Sequence, residues 1–546
     1  MARPHLVTLP YEVRDKIFQE YFRVEGGYVF SSASEKLTTA DGQPIDFSLM
    51  YTCRSIANDT KRLPFELNNI SFSTLFSPEL RARAGRHQFL SHFLCILKVD
   101  LICLLQGPEM SPELEEAIEE RFPHMMPGFK NRLESLYHRR FRQNPTVRKG
   151  SAFRYWELGR DTSEIIKDFG DESIRGWGKN VSMAREAIAF SFRFLGERQY
   201  FELADLLNKA FPGWKGSNNQ QDLFDLTLDP WDIPSKALLT RIGSLLRDDV
   251  IWRRVKDWHY GVRAKYRFSA TAVAIRFFHQ LSTEQRLHLR RITLIEDEYA
   301  VCSPSTHAMG LIQFCKDNPK LRIRRHLKLC RRIPAALHPC WDMIGYSTLA
   351  TPHSQRRNQG GGEDIVPEFA VNGIAIWLEE AITLPDAGMP RNSYTLCFDG
   401  EPDKSFFSDI FQNILLRQDA LIQASQELLR MRPHQFNTLV SPPYQRWHSG
   451  HLSKAVKYLT DHHADSIDSF PLICSNFHPG QPFDVESFIQ ERLEWTSGNW
   501  TTEDWRSSFH LRQCPSTFGS WHDNLESFYE FQTPRVFLPS GNMREL

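Results

Sequence analysis

The 546-residue chain has no excess of charge of either sign: Lys+Arg and Asp+Glu number 66 each, for a formal net charge of zero. Nucleic-acid binders normally carry a basic excess, because neutralising phosphates supplies most of their affinity, so no nucleic-acid partner is expected. Cysteine is thin, with ten residues scattered from Cys53 to Cys514 and no Cys-x-x-Cys pair. That excludes a disulfide scaffold, which would be short and cysteine-dense. The N-terminal MARPHLVTLPYEVRDK has no apolar leader core. The most apolar run, 89–105 (FLSHFLCILKVDLICLL), contains His92, Lys98 and Asp100 and is short for a bilayer. A buried helix is expected there, with no membrane partner and an intracellular location, cytoplasmic and/or nuclear.

Local catalytic signatures are missing too. There is no G-x-x-x-x-G-K-[ST] loop, G-x-G-x-x-G turn, G-x-S-x-G elbow or H-E-x-x-H helix, and Gly360, Gly361 and Gly362 read as a linker within a flexible stretch. No catalytic residue, cofactor or metal is therefore expected. His326, Cys330, His338 and Cys340, and separately Asp461, His462, His463, Asp465, Cys474 and His478, are zinc-type donors at no familiar spacing. Glu296-Asp297-Glu298 follows a strand, where parallel-sheet enzymes place carboxylates. No catalytic partner is identifiable, so a solvated loop is expected. The run 320–332 (KLRIRRHLKLCRR) is either an import signal or a patch for an acidic partner. Its bland alternative, an exposed strand and helix with Leu321 and Ile323 on one face and arginines on the other, is preferred.

What is present points to a large aromatic-rich core, with 39 Phe and 13 Trp, in a chain long enough for roughly two to four domains. Pro10 suits a first helical position and Glu12 the first turn. Val13, Ile17 and Tyr21 then recur at four-residue spacing, with Phe18 and Phe22 widening the stripe. A polar stretch (25–44) leads to a second helical pattern through Leu49, Cys53, Ile56 and Thr60, and 69–73 reads as a strand. Helical patterns dominate 89–140 and 182–211, and a seam rich in Gly, Asn, Gln and Asp spans 212–234. Beyond a helical 235–263, helices at 270–280 and 282–290 and strands at 291–295, 320–325 and 393–398 suggest an α/β core. Residues 406–432 read as a long amphipathic helix, and no fixed repeat period is found. The expected fold is α+β or α/β, predominantly helical: a helical module (1–75), a helical region (76–212), a mixed α/β region (235–494) and an irregular Trp-rich segment (495–546).

Leu9-Pro10-x-Glu12, Ile17 and Cys53-Arg54, set in SLMYTCRSIANDT and followed by LNNISF, resemble the F-box-type module found at the start of many filamentous-fungal proteins. The resemblance covers about one eighth of the chain. It implies docking of a Skp-type adaptor through a three-helix surface, linking a region that recognises a protein substrate to a cullin ubiquitin ligase. The adaptor-binding face would draw on Leu9, Pro10, Val13, Ile17, Leu49 and Ile56, read as helix-in-groove anchors. One departure stands out: a polar insertion of about twenty residues separates landmarks that a compact F-box keeps close. It either loops out or marks a lost adaptor surface. Two other readings remain, a scaffold or regulator that does not bind the adaptor, and an enzyme whose site is assembled from distant residues.

Overall fold

The computed structural model describes residues 6–32, 34–126, 128–138, 177, 180–210, 220–246, 262–331, 364–365, 367–431, 450–463, 469–495, 499, 512–513, 515–518 and 526–531. Its centre is a seven-stranded sheet built from β1 (Tyr28–Ser31), β2 (Lys36–Thr39), β3 (Asn69–Ser73), β4 (Arg291–Glu296), β5 (Arg322–Lys328), β6 (Tyr394–Asp399) and β7 (Ile473–Ser475). The spatial order is β2-β1-β3-β4-β5-β6-β7. β1 and β2 form an antiparallel hairpin and every other pair is parallel.

From β1 onward the strands are laid down in chain order in one direction. Crossovers of a single hand then all fall on one face of such a sheet. Burial follows that logic. In β4 and β5 buried residues alternate with partly exposed ones, and the buried rows Ile70–Ile292–Ile323–Tyr394 and Phe72–Leu294–Arg325–Leu396 run straight across the register. The strands read from alternation at 69–73, 291–295 and 393–398 are present, and the one at 320–325 is found at Arg322–Lys328. The polar stretch at 25–44, by contrast, is the β1–β2 hairpin. It neither loops out nor stays irregular: it extends the sheet beside β3. Phe30 stacks on Phe72 at 5.6 Å between ring centroids. The hairpin enters through Gly27, whose φ is +70° and whose added Cβ would strike the Asn69 carbonyl, so only glycine fits there.

The N-terminal helices are α1 (Tyr11–Phe22), α2 (Arg54–Thr60) and α3 (Leu63–Leu67). A helical layer follows: α4 (Pro78–Gln106), α5 (Pro112–Arg121), α6 (Gly128–Tyr137), α7 (Val181–Arg198), α8 (Tyr200–Ala210) and α9 (Lys236–Leu245). α4 starts earlier than the apolar run suggested, where the Ser77 hydroxyl caps the Leu80 N–H at 3.1 Å. By length and composition α4 is apolar enough to cross a membrane, but 78% of that window is buried within the protein. Its neighbours share one core with it, including Phe93, Leu97, Leu133, Ile188 and Phe192. Leu239, Ile242 and Leu246 belong to the same core, as do Leu226 and Leu228. The helical layer thus continues past residue 212 to Leu246: the described part of the seam, 220–234, opens with the short helix Gln220–Phe224 and packs Leu223, Leu226 and Leu228 into this core.

The second core lies under the sheet, where α10 (Ala270–Gln280), α11 (Pro367–Thr383), the helical stretch 404–416 and α12 (His451–Asp461) cover the buried rows. At the chain's end Tyr529–Phe531 pairs antiparallel with Val262–Ala264, and Trp495 packs against the Ile489 cluster. Trp500, Trp505, Trp521 and most of the stretch 354–364 lie outside the described residues.

The two cores are stitched at the start of α7. The Ser182 N–H and hydroxyl donate to the two oxygens of Glu380 at 2.8 and 2.6 Å, and the Asn180 amide donates to Thr383 Oγ1 at 3.0 Å. Burial raises the Glu380 carboxyl from its usual 4.5 to about 7, against the Ser182 bonds. A carboxyl that holds its proton more tightly when folded contributes stability that is complete below pH 4.5 and disappears as pH rises through 7. Glu380→Gln removes this dependence. Its melting temperature relative to wild type is therefore expected to climb between pH 5 and 7.5, checked by calorimetry at matched ionic strength, and a constant offset would refute the assignment.

Candidate functional site

α1, α2 and α3 close around a small core of Phe18, Phe22, Ile56 and Leu63, with Leu6, Phe47, Leu49, Met50 and Leu67 partly buried against it. Asn68 locks this bundle. Its amide donates to Phe22 O (2.7 Å) and Pro64 O (3.0 Å), and its carbonyl accepts from Val24 N (2.8 Å). Truncating it strands buried backbone groups, each of which costs free energy when left unpaired. Asn68→Ala is expected to lower stability by ~2–4 kcal/mol, read from denaturant unfolding of the full chain; a loss below ~0.5 kcal/mol would contradict it.

The bundle is anchored to the sheet through Glu66, which meets Arg62 (2.7 Å), Arg290 (2.7 Å) and the His288 ring (3.2 Å). Burial works against the Glu66 charge, but Arg62, His288 and Arg290 outweigh it and hold the carboxyl below its usual range. Lys61–Glu284 (2.7 Å) joins the same two parts, but an exposed pair of this kind contributes little.

The outer side of α1 is unusual. Phe18 and Phe22 face inward, while Val13, Ile17 and Tyr21 are 45%, 41% and 40% exposed. Four-residue spacing places these three on one stripe. Val7, Tyr11 and Tyr51 are also exposed, so six of the ten large exposed hydrophobic side chains among the described residues fall between positions 7 and 51. Scattered apolar surface is normal, whereas a concentration of it marks an interaction site. Tyr21 is held in place by its hydroxyl, which donates to Asp46 Oδ2 at 2.6 Å; bonds from Ser48 and Tyr21 hold Asp46 down at about 2.

The residues expected on the docking face therefore divide. Val13 and Ile17 are outward, Pro10 is exposed as the helix N-cap rather than its first residue, and Leu9 is half-buried. Leu49 packs partly against the bundle core, and Ile56, 4% exposed, lies inside it. Ile56 is thus a core residue, because α2 has no other buried apolar side chain to turn toward Phe18 and Phe22. Tyr21, part of the same helical stripe, and Tyr11 and Tyr51 belong to the exposed set without having been placed on the docking face. The available signal was that α1 carries two apolar stripes, 13/17/21 and 18/22, one more than a single packed face consumes.

The carboxylates at the end of β4 and the histidines near the end of α12 have other partners. Glu296 is fully buried rather than solvated. It accepts from Arg325 Nε (2.9 Å) and Nη2 (2.7 Å), and from Thr271 Oγ1 (3.0 Å), with Ala270 N and Thr271 N at 3.3 and 3.4 Å at the start of α10. Arg325 is likewise fully buried, with its guanidinium 4.6 Å from the Trp377 ring. It shares a face with Ile323 and Leu327, so the arginines of the basic run are not all on the outer side. Asp297 accepts from the Thr74 N–H at 3.2 Å.

Ser269 and His307 have the spacing of a nucleophile and base, 2.7 Å from Oγ to Nδ1, but both are buried. His307 Nε2 is spent on the Cys302 carbonyl at 3.0 Å, and Ser269 caps Ala272 N at 3.0 Å. Burial and nearby Arg325 push the His307 ring well below its usual range, so it stays neutral. The pair is a helix cap. His462 stacks on Tyr458 at 4.1 Å and His463 meets His478 at 4.7 Å. No group of three His, Cys, Asp or Glu suited to a metal occurs among the described residues, and His338, Cys340 and Asp465 fall outside them.

Comparison with known proteins finds no matching family model, no matching curated protein and no matching solved structure. The F-box resemblance therefore rests on the residues of this chain.

Proposed function

We propose that this chain is a protein-docking subunit whose α1 face engages a Skp-type adaptor, so that the remaining α/β and helical regions present a protein substrate to a cullin ubiquitin ligase. The observation that carries the reading is the outward stripe of Val13, Ile17 and Tyr21 on a helix whose core contacts are already supplied by Phe18 and Phe22. Helix-in-groove recognition uses anchors at this spacing. Leu9-Pro10-x-Glu12 and Cys53-Arg54 supply the identity of the partner, as a resemblance. A second reading, a scaffold or regulator that does not engage the adaptor, draws on the hairpin between the two landmarks, which ties the bundle to the sheet edge. Co-purification of the full chain with a Skp-type adaptor separates the two. A stoichiometric complex supports docking; a folded chain that leaves the adaptor unbound at ~10 μM, where a specific pair of ordinary size associates, favours the scaffold.

A further inference from the structure

Between the helical layer and the α/β core lies a cavity of about 330 Å³, walled by α4, α7, the 226–231 loop and Thr306 and Met309. Its size is within the range of small-molecule sites, and its walls are mostly apolar, as such sites are. Leu94, Ile188, Leu226 and Met309 contribute, with Trp231 alongside. Trp231 is seated against Gly310, where a Cβ would collide with the indole.

Into this space α4 places Lys98, which makes no hydrogen bond or ion pair with any described residue. Burial, with Arg185 and Arg193 nearby and Cys95 opposing them, pushes its ammonium down to about 8. Arg185 is otherwise engaged, donating to Ser91 Oγ and Leu228 O at 3.2 Å each. An unpaired, largely desolvated ammonium is costly, and a carboxylate brought against it between apolar walls interacts more strongly than at the open surface. Glu186 and Asp229 also line the cavity, each raised by burial. They oppose a second negative charge and so select against phosphates and dicarboxylates.

We propose that this cavity binds a small organic monoanion, an apolar body bearing one carboxylate, with Lys98 as its anchor. The site shares no residue with the α1 face and does not depend on adaptor docking. Octanoate and 3-phenylpropanoate serve as probes, titrated calorimetrically into the full chain, with octanol and octylamine as neutral and cationic controls. Octanoate is expected to bind at least tenfold more tightly than either control. Its affinity should fall as pH rises through about 8, where Lys98 loses its proton among Arg185, Arg193, Cys95, Glu186 and Asp229. Lys98→Met, which removes the charge at similar side-chain length, should cost at least tenfold in octanoate affinity. Ala189→Phe, which fills the cavity while leaving Lys98 in place, should abolish binding, and it decides the matter should Lys98→Met fail to fold. No binding of either probe, equal binding of octanol, or native affinity in a folded variant overturns the proposal.

Discussion

Arg325→Met is expected to destabilise the protein by ~3–5 kcal/mol, the cost of leaving a buried charge without its partner. Glu296 and Arg325 are both fully buried, and Glu296 has no access to water that could take the guanidinium's place. The pair also spans three elements: Glu296 ends β4, Arg325 sits in β5, and Glu296 receives the first N–H groups of α10. Removing the cation therefore loosens the sheet and the helix that covers it together. The sharper test is the double variant. Glu296→Gln keeps the acceptor for Thr271 and removes the stranded charge, so Glu296→Gln/Arg325→Met should recover at least about half of the loss. Denaturant unfolding of wild type, both singles and the double gives the coupling directly. Additive losses would show that the two side chains act independently, against the geometry.

Ile17→Asp is expected to weaken adaptor binding by ~30–1000-fold, the ~2–4 kcal/mol of an interface hot spot, while shifting folding stability by less than about 1 kcal/mol. The two halves of this prediction come from one observation: Ile17 is 41% exposed and lies outside the bundle core. Val13→Asp should behave alike, and Phe18→Ala should do the reverse in its primary effect, costing ~3–5 kcal/mol of stability through the cavity it leaves. Surface plasmon resonance with the adaptor, paired with thermal melts of the same samples, reads both effects. A scaffold that ignores the adaptor would show no difference between Ile17→Asp and wild type at any concentration.

The parts of the fold legible in the sequence are those with a strong local period. β4 is readable because Ile292 and Leu294 alternate with Arg291 and Thr293, and α10 begins directly after a serine whose hydroxyl caps it. β1, β2 and β7 are not readable, since strands of four, four and three residues give alternation nothing to build on. Arg325 shows a different kind of limit. The period of two places it on the buried face with Ile323 and Leu327, but a lysine- and arginine-rich run reads as surface, and the carboxylate that permits its burial lies 29 residues away in sequence. On the candidate site, spacing picks out Val13, Ile17 and Ile56 alike, and the structure leaves the first two exposed and buries the third, because spacing identifies an apolar face without saying whether a partner or the protein's own core covers it.

Hydrogen–deuterium exchange of the full chain with and without a Skp-type adaptor tests the docking account most directly. The account predicts slower exchange in the complex confined to Tyr11–Phe22 and the adjoining Ser48–Tyr51 turn, with β4 and β5 unchanged. A complex that leaves Tyr11–Phe22 as it is in the free chain, or a folded chain that forms no complex, would contradict it.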